Sequence, residues 1–161
     1  MIGPDGKVLY SEQGLTRYAL DKALRATPGP PSYTPSVQAV ETCEPGGPVY
    51  TTSAVNARCV AVDSNLTLVF DDIMNLGTLM IPATGNAPFV QVRFAGAAGI
   101  PVAGSWSYSL DMNAKTTTVV FTPAAPLPPL TKVEVLVPPQ VLDLVGNPQV
   151  GLPIFRFLTE G

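Results

Sequence analysis

The chain contains no histidine and only two cysteines, Cys43 and Cys59. The first absence removes the commonest general base and the commonest metal ligand together. The second excludes a thiolate zinc site, and with no histidine no Cys–His nucleophile can form. Charge is scarce as well: 13% of the 161 residues are Asp, Glu, Lys or Arg, and the net charge is −3. No Lys/Arg cluster exists to neutralise phosphates, so nucleic-acid binding lacks its electrostatic footprint. Long apolar runs are also missing. No stretch approaches the ~20 residues of a membrane-spanning helix. The charged N-terminus MIGPDGKVLYSEQGLTRYALDKALRA lacks the apolar run of roughly 7–15 residues that a secretory signal carries. With Met1 as the start, the expectation is synthesis and folding in the cytoplasm, with no membrane insertion.

Twelve acidic residues leave a carboxylate mechanism formally open, but Asp71-Asp72 is the one adjacent pair. It follows the apolar run Leu66 to Phe70, where strand-ending charges belong, and one of the two carboxylates is expected to face solvent. Calcium takes about six to eight oxygens, more than one pair supplies. No catalytic residue, metal ligand or cofactor is assigned, and a non-enzymatic protein is expected.

Apolar residues (46%), 18 prolines and 14 glycines dominate instead, a composition ordinary for short strands joined by tight turns. Three parts separate. Residues 1–27 open on the turn Gly3-Pro4-Asp5-Gly6 and the short run Lys7 to Tyr10. From Ser11 the spacing predicts a helix, with Leu15, Tyr18, Ala19 and Ala23 on one face and Thr27-Pro28 as its stop. That face, with Tyr10, is the candidate docking surface for other protein subunits of a larger assembly, further copies of this chain included; packing on its own body is the alternative. Residues 28–48 hold Pro28, Pro30, Pro31, Pro35, Pro45 and Pro48 with Gly29, Gly46 and Gly47. They predict an extended, polyproline-like arm unable to sustain a helix or a central strand.

Residues 49–161 show period-two alternation in short runs: Leu66, Leu68, Phe70; Val90, Val92, Phe94; Trp106, Tyr108; Thr117, Val119, Phe121; Val133, Val135, Val137; Phe155, Phe157. Turn clusters lie between them. With Val49 to Thr52 as the first, about seven strands result, which argues an all-β fold: an immunoglobulin-like antiparallel β-sandwich. A fragment from Val49 to Gly161 is expected to fold alone. Trp106, the single tryptophan, is expected between the sheets. Cys43 and Cys59 form either a bridge stapling arm to body, worth ~3 kcal/mol in the chain-entropy model, or two free thiols of a reducing compartment.

The ordered runs Val62 to Phe70, Pro101 to Gly104, Val119 to Pro123 with Leu127 to Pro129, Asp143 to Pro148 and Phe155 to Thr159 resemble the bacterial Ig-like modules of S-layer and other surface proteins. The resemblance covers about residues 49–159. Its most specific element is the turn Asp143, Gly146, Asn147, Pro148 just before the last strand. Two features depart from the pattern. There is one copy behind a long nonrepetitive extension, and Met74 follows Phe70-Asp71-Asp72-Ile73 where the family often has an acidic residue, Pro and Met. Such modules also occur in phage structural proteins. The implied role is a virion component, a capsid decoration or tail accessory protein made in the host cytoplasm and attached through its N-terminal arm. The alternative is a module of an exported bacterial surface or adhesion protein, located outside the cell or on its surface.

Overall fold

The computed structural model describes residues 29–79, 90–96 and 99–161. Among these, eight strands and one short helix follow in the order β1 (Tyr33–Val40), β2 (Val49–Ser53), β3 (Leu66–Phe70), α1 (Leu76–Leu79), β4 (Gln91–Phe94), β5 (Gly104–Asp111), β6 (Thr116–Pro123), β7 (Lys132–Leu136) and β8 (Ile154–Leu158). They form a five-stranded sheet, β2-β1-β3-β6-β5, and a three-stranded sheet, β4-β7-β8, with every strand pair antiparallel.

Alternation builds the core. On β3 the residues Leu66, Leu68 and Phe70 turn inward, opposite Phe121, Val119 and Thr117 of β6. On β7, Val133 and Val135 turn inward between Phe94 and Val92 of β4 and Phe157 and Phe155 of β8. Apart from the half-buried Phe94, which packs against it, and the polar Thr117, these side chains form one buried cluster with Val60, Val90, Val137 and Val141. Each large one contributes about 1.5–3 kcal/mol by leaving water. Thr117 is the polar member of that inner face and is satisfied: its hydroxyl donates to the Asp72 carbonyl (2.8 Å) and accepts from Met74 N (2.9 Å). Asn75 opens α1, its side chain accepting from Gly77 N (3.1 Å) and its carbonyl from the Thr78 hydroxyl (2.8 Å).

The seven strand runs read from the sequence are present. The proline-rich arm is where the structure differs from expectation. Tyr33–Val40 is strand β1, which lies between β2 and β3 and buries Val37, Ala39 and Val40. Its tolerance of Pro35 has a geometric reason. The Pro35 carbonyl accepts from Ala54 N (3.0 Å), so its ring nitrogen also points to the β2 side, beyond the last β2 partner, Ser53 opposite Ser36. A proline costs a ladder bond only where a partner carbonyl waits, and the Ala54 carbonyl opposite Pro35 accepts from Ala57 N (3.4 Å) instead. The β1 residues beyond the β3 pairing use another segment: Gln38 N donates to Ser64 Oγ (2.9 Å) and Val40 N to the Cys59 carbonyl (2.8 Å).

Trp106 also differs. It is half-buried rather than enclosed, because β5 is the last strand of the wider sheet and only its first portion is covered; the indole packs on Phe121 with ring centroids 4.9 Å apart. The turn, short run and helix read over residues 1–27 lie outside the described residues.

Candidate interaction surfaces

The turn motif singled out in the sequence is a built structural unit. Asp143 is 1% exposed, and its carboxylate accepts from Val145 N (2.9 Å), Asn147 N (2.8 Å) and Asn147 Nδ2 (2.8 Å). Gly146 supplies the left-handed backbone the turn requires (φ 93°). Asn75 N donates to the Leu142 carbonyl (2.9 Å) and Leu144 N to the Ile73 carbonyl (3.2 Å), locking the turn against the Met74 loop. The Asp143 carboxylate and the Asn147 side-chain donor are thus spent on each other and on the turn. Leu144, Val145, Val150 and Leu152 remain exposed around them.

Cys43 and Cys59 are joined in a disulfide with Cα atoms 4.6 Å apart. The bridge closes the loop that carries β2, and both half-cystines hold left-handed backbone (φ 60° and 58°). Asp71 is exposed and accepts from Ser32 N (2.6 Å), while Asp72 is buried and accepts from Ile73 N (2.7 Å). The two acids therefore serve separate backbone donors. Among the described residues no group of three or more His, Cys, Asp or Glu side chains is placed to hold a metal ion, and no helix is long and apolar enough to cross a membrane.

The alternation Val133-Glu134-Val135 puts one carboxylate on the outer face of the small sheet, a signal the sequence reading passed over. Glu134 stands directly between Arg93 of β4 and Arg156 of β8. Arg93 donates to Oε1 through Nε (2.8 Å) and Nη2, and Arg156 to Oε2 through Nε (2.6 Å) and Nη2 (2.5 Å). The two guanidinium groups leave Glu134 only 6% exposed. The Arg93 hydrogen bonds, opposed by burial and reinforced by Arg156, hold its carboxyl below the usual range. The cluster pins the register of three strands and presents no free acid.

Tyr33 ties the entry of the chain to the last loop. Its hydroxyl donates to the Leu152 carbonyl, its ring lies 5.5 Å from Phe70 and 6.1 Å from Phe155, and Val150 N donates to the Pro31 carbonyl (2.9 Å). Burial pushes the phenol pKa up to about 12.

Among the described residues, the β5 edge is left open. Tyr108 (48% exposed) and Leu110 (41%) stand opposite the buried Val119 and Thr117 of β6, on the inner face of the sheet beyond its cover. A second apolar patch, Val49 and Tyr50, lies on β2 at the other edge, beside a shallow recess they line with Glu41 and Pro48. The docking candidates Tyr10, Leu15, Tyr18, Ala19 and Ala23 lie outside the described residues.

Comparison with curated proteins returns no match. Residues 49–159 match the bacterial Ig-like domain, a span of more than half the chain that takes in seven of the eight strands and leaves β1 before it. Two antiparallel sheets over one apolar core, closed by the Asp143 turn and the final strand β8, agree with that match: the chain belongs to the bacterial Ig-like domain family.

Proposed function

We propose that the chain is a non-catalytic interaction module working outside the cytosol as part of a larger protein assembly. Membership of the bacterial Ig-like domain family carries this reading. The Cys43–Cys59 bridge supports it, since disulfides persist in oxidising surroundings and are rare in the cytosol. The sandwich supplies a rigid body. Residues 1–27, with the apolar side chains Leu15, Tyr18, Ala19 and Ala23 recurring every three or four positions in the sequence, are proposed to supply attachment to neighbouring subunits.

Two settings meet these requirements. An exported bacterial surface or adhesion protein is favoured by the family and the disulfide, and is the setting adopted here. A phage virion component, a capsid decoration or tail accessory protein, is favoured by the long extension before the sandwich. Antibody labelling of intact cells, with thiol alkylation of the recovered chain, tests the choice. Surface label and blocked cysteines are the expected result. Co-sedimentation with phage particles would select the virion setting, and a cytosolic chain with two free thiols would sink the proposal.

A further inference from the structure

We propose that β5 is a strand-addition edge through which two copies of this chain pair about a two-fold axis. The inference is independent of where residues 1–27 attach.

Among the described residues β5 is an end strand, bonded to β6 alone. The direction of its remaining main-chain groups follows from the ladder. Ala124 N donates to the Ala103 carbonyl (2.9 Å), one step outside the Gly104–Pro123 pair. Bonded and non-bonded pairs alternate in an antiparallel ladder. The odd-numbered residues of β5 therefore face β6, and Gly104, Trp106, Tyr108 and Leu110 turn their N–H and C=O groups outward. These same residues carry the inner-face side chains, standing opposite Phe121, Val119 and Thr117. The free edge and the uncovered apolar stripe are one surface.

Nothing defends this edge. Natural edge strands are shortened, bulged, or armed with Lys or Pro. β5 runs for eight residues, and Gly104 to Leu110 include no charge and no proline. The opposite edge strand, β2, has five residues, follows Pro48 and sits in the disulfide loop.

The occupant is set by self-complementarity. Placing Ser107 opposite Ser107 of a second copy sets Trp106 against Tyr108 and Gly104 against Leu110 in both directions, all on one face. On the order of eight inter-chain hydrogen bonds form in that register, because outward-facing residues meet outward-facing residues. Asp111 falls opposite Ala103, which keeps the two carboxylates at opposite ends of the ribbon. Trp and Tyr are the residues most enriched at energetic centres of interfaces. Such a strand pair is smaller than a tight interface of about 1,200–2,000 Å², so the dimer is expected to depend on concentration in the micromolar range.

The test uses the full chain. Sedimentation velocity should show the mass rising from 16.9 kDa towards twice that value with concentration, with the Trp106 emission shifting blue in parallel. Ser107→Cys should form a covalent dimer under mild oxidation. Position 107 meets itself in a non-bonded pair with Cα atoms ~4.5 Å apart, within disulfide reach, and both native cysteines are already bridged. Ser109→Cys, which faces Ser105, should form no covalent dimer, while an equimolar mixture of Ser105→Cys and Ser109→Cys should cross-link. Tyr108→Lys should abolish the dimer with the circular dichroism unchanged. The proposal is overturned by a monomer at every concentration, by equal cross-linking of the 107 and 109 variants, by a dimer that survives Tyr108→Lys, or by an indole already dry in the dilute monomer.

Discussion

Removing residues 1–48 should unfold this protein, against the expectation from sequence that Val49 to Gly161 folds alone, although that fragment contains the whole family match. Three losses coincide. Val37 and Val40 leave the core, each worth about 1.5–3 kcal/mol on burial. Cys43 goes with them, and with it a bridge worth ~3 kcal/mol in the chain-entropy model. β2, whose one sheet partner among the described residues is β1, loses that pairing, while β3 acquires an open edge above Leu68 and Phe70. The first two losses alone come to about 6–9 kcal/mol, against a total of about 5–15 kcal/mol for a domain. Urea titrations followed by circular dichroism and Trp106 fluorescence compare the full chain with fragments beginning at Gly29 and at Val49. The Gly29 fragment should unfold cooperatively near the full-length midpoint, and the Val49 fragment should show no transition. A cooperative Val49 fragment with a native-like midpoint would refute the argument and make β1 an accessory strand.

Gly104→Ala should destabilise by about 1–3 kcal/mol in the same titration, because an added Cβ would lie 2.4 Å from Phe121 Cζ and 2.5 Å from the Thr122 carbonyl oxygen. Asp143→Ala strips three donors of their acceptor and should cost about 1–3 kcal/mol, seen as a lower melting temperature. For Glu134 the folded carboxyl titrates below its unfolded value, so its contribution is complete above the ordinary carboxylate range and is lost as pH falls through the folded value. Stability should therefore drop more steeply below about pH 5 in the natural chain than in Glu134→Gln, a difference read from urea midpoints across acid pH. Reduction of the disulfide should lower stability by ~3 kcal/mol, measured with and without reductant on the full chain.

Strands with clean alternation were readable from residues alone. Leu66, Leu68 and Phe70 or Val133 and Val135 fix the face, because shifting either run by one residue would turn Thr67 or Glu134 towards the apolar core. β1 was hidden by Pro35 and by the small, mixed run that follows it. Proline ordinarily excludes a central strand, and the exemption here depends on where β2 ends, a tertiary fact. Trp106 was misplaced for a related reason. Alternation assigns it to the inner face correctly, yet whether that face is covered depends on the opposing sheet having three strands rather than five. The Asp143 turn was visible by its residue order, but its role as an acceptor for buried donors needed the coordinates. The Arg93–Glu134–Arg156 cluster joins three strands far apart in the chain, and no local pattern announces it.

The position of β1 also decides how the body carries a pull. The described chain enters at Tyr33, at one end of β1, and Gly161 N donates to the Cys43 carbonyl just past the other end (3.3 Å). Entry and exit are thus separated along the strand axis by about 26 Å, eight residues at ~3.3 Å each. Tension applied between them runs parallel to the strands. The hydrogen bonds that hold β1 to β2 and β3 are loaded together in shear rather than opened one after another. Pulled from Tyr33 along its own axis, β1 would resist extraction the way a lap joint does.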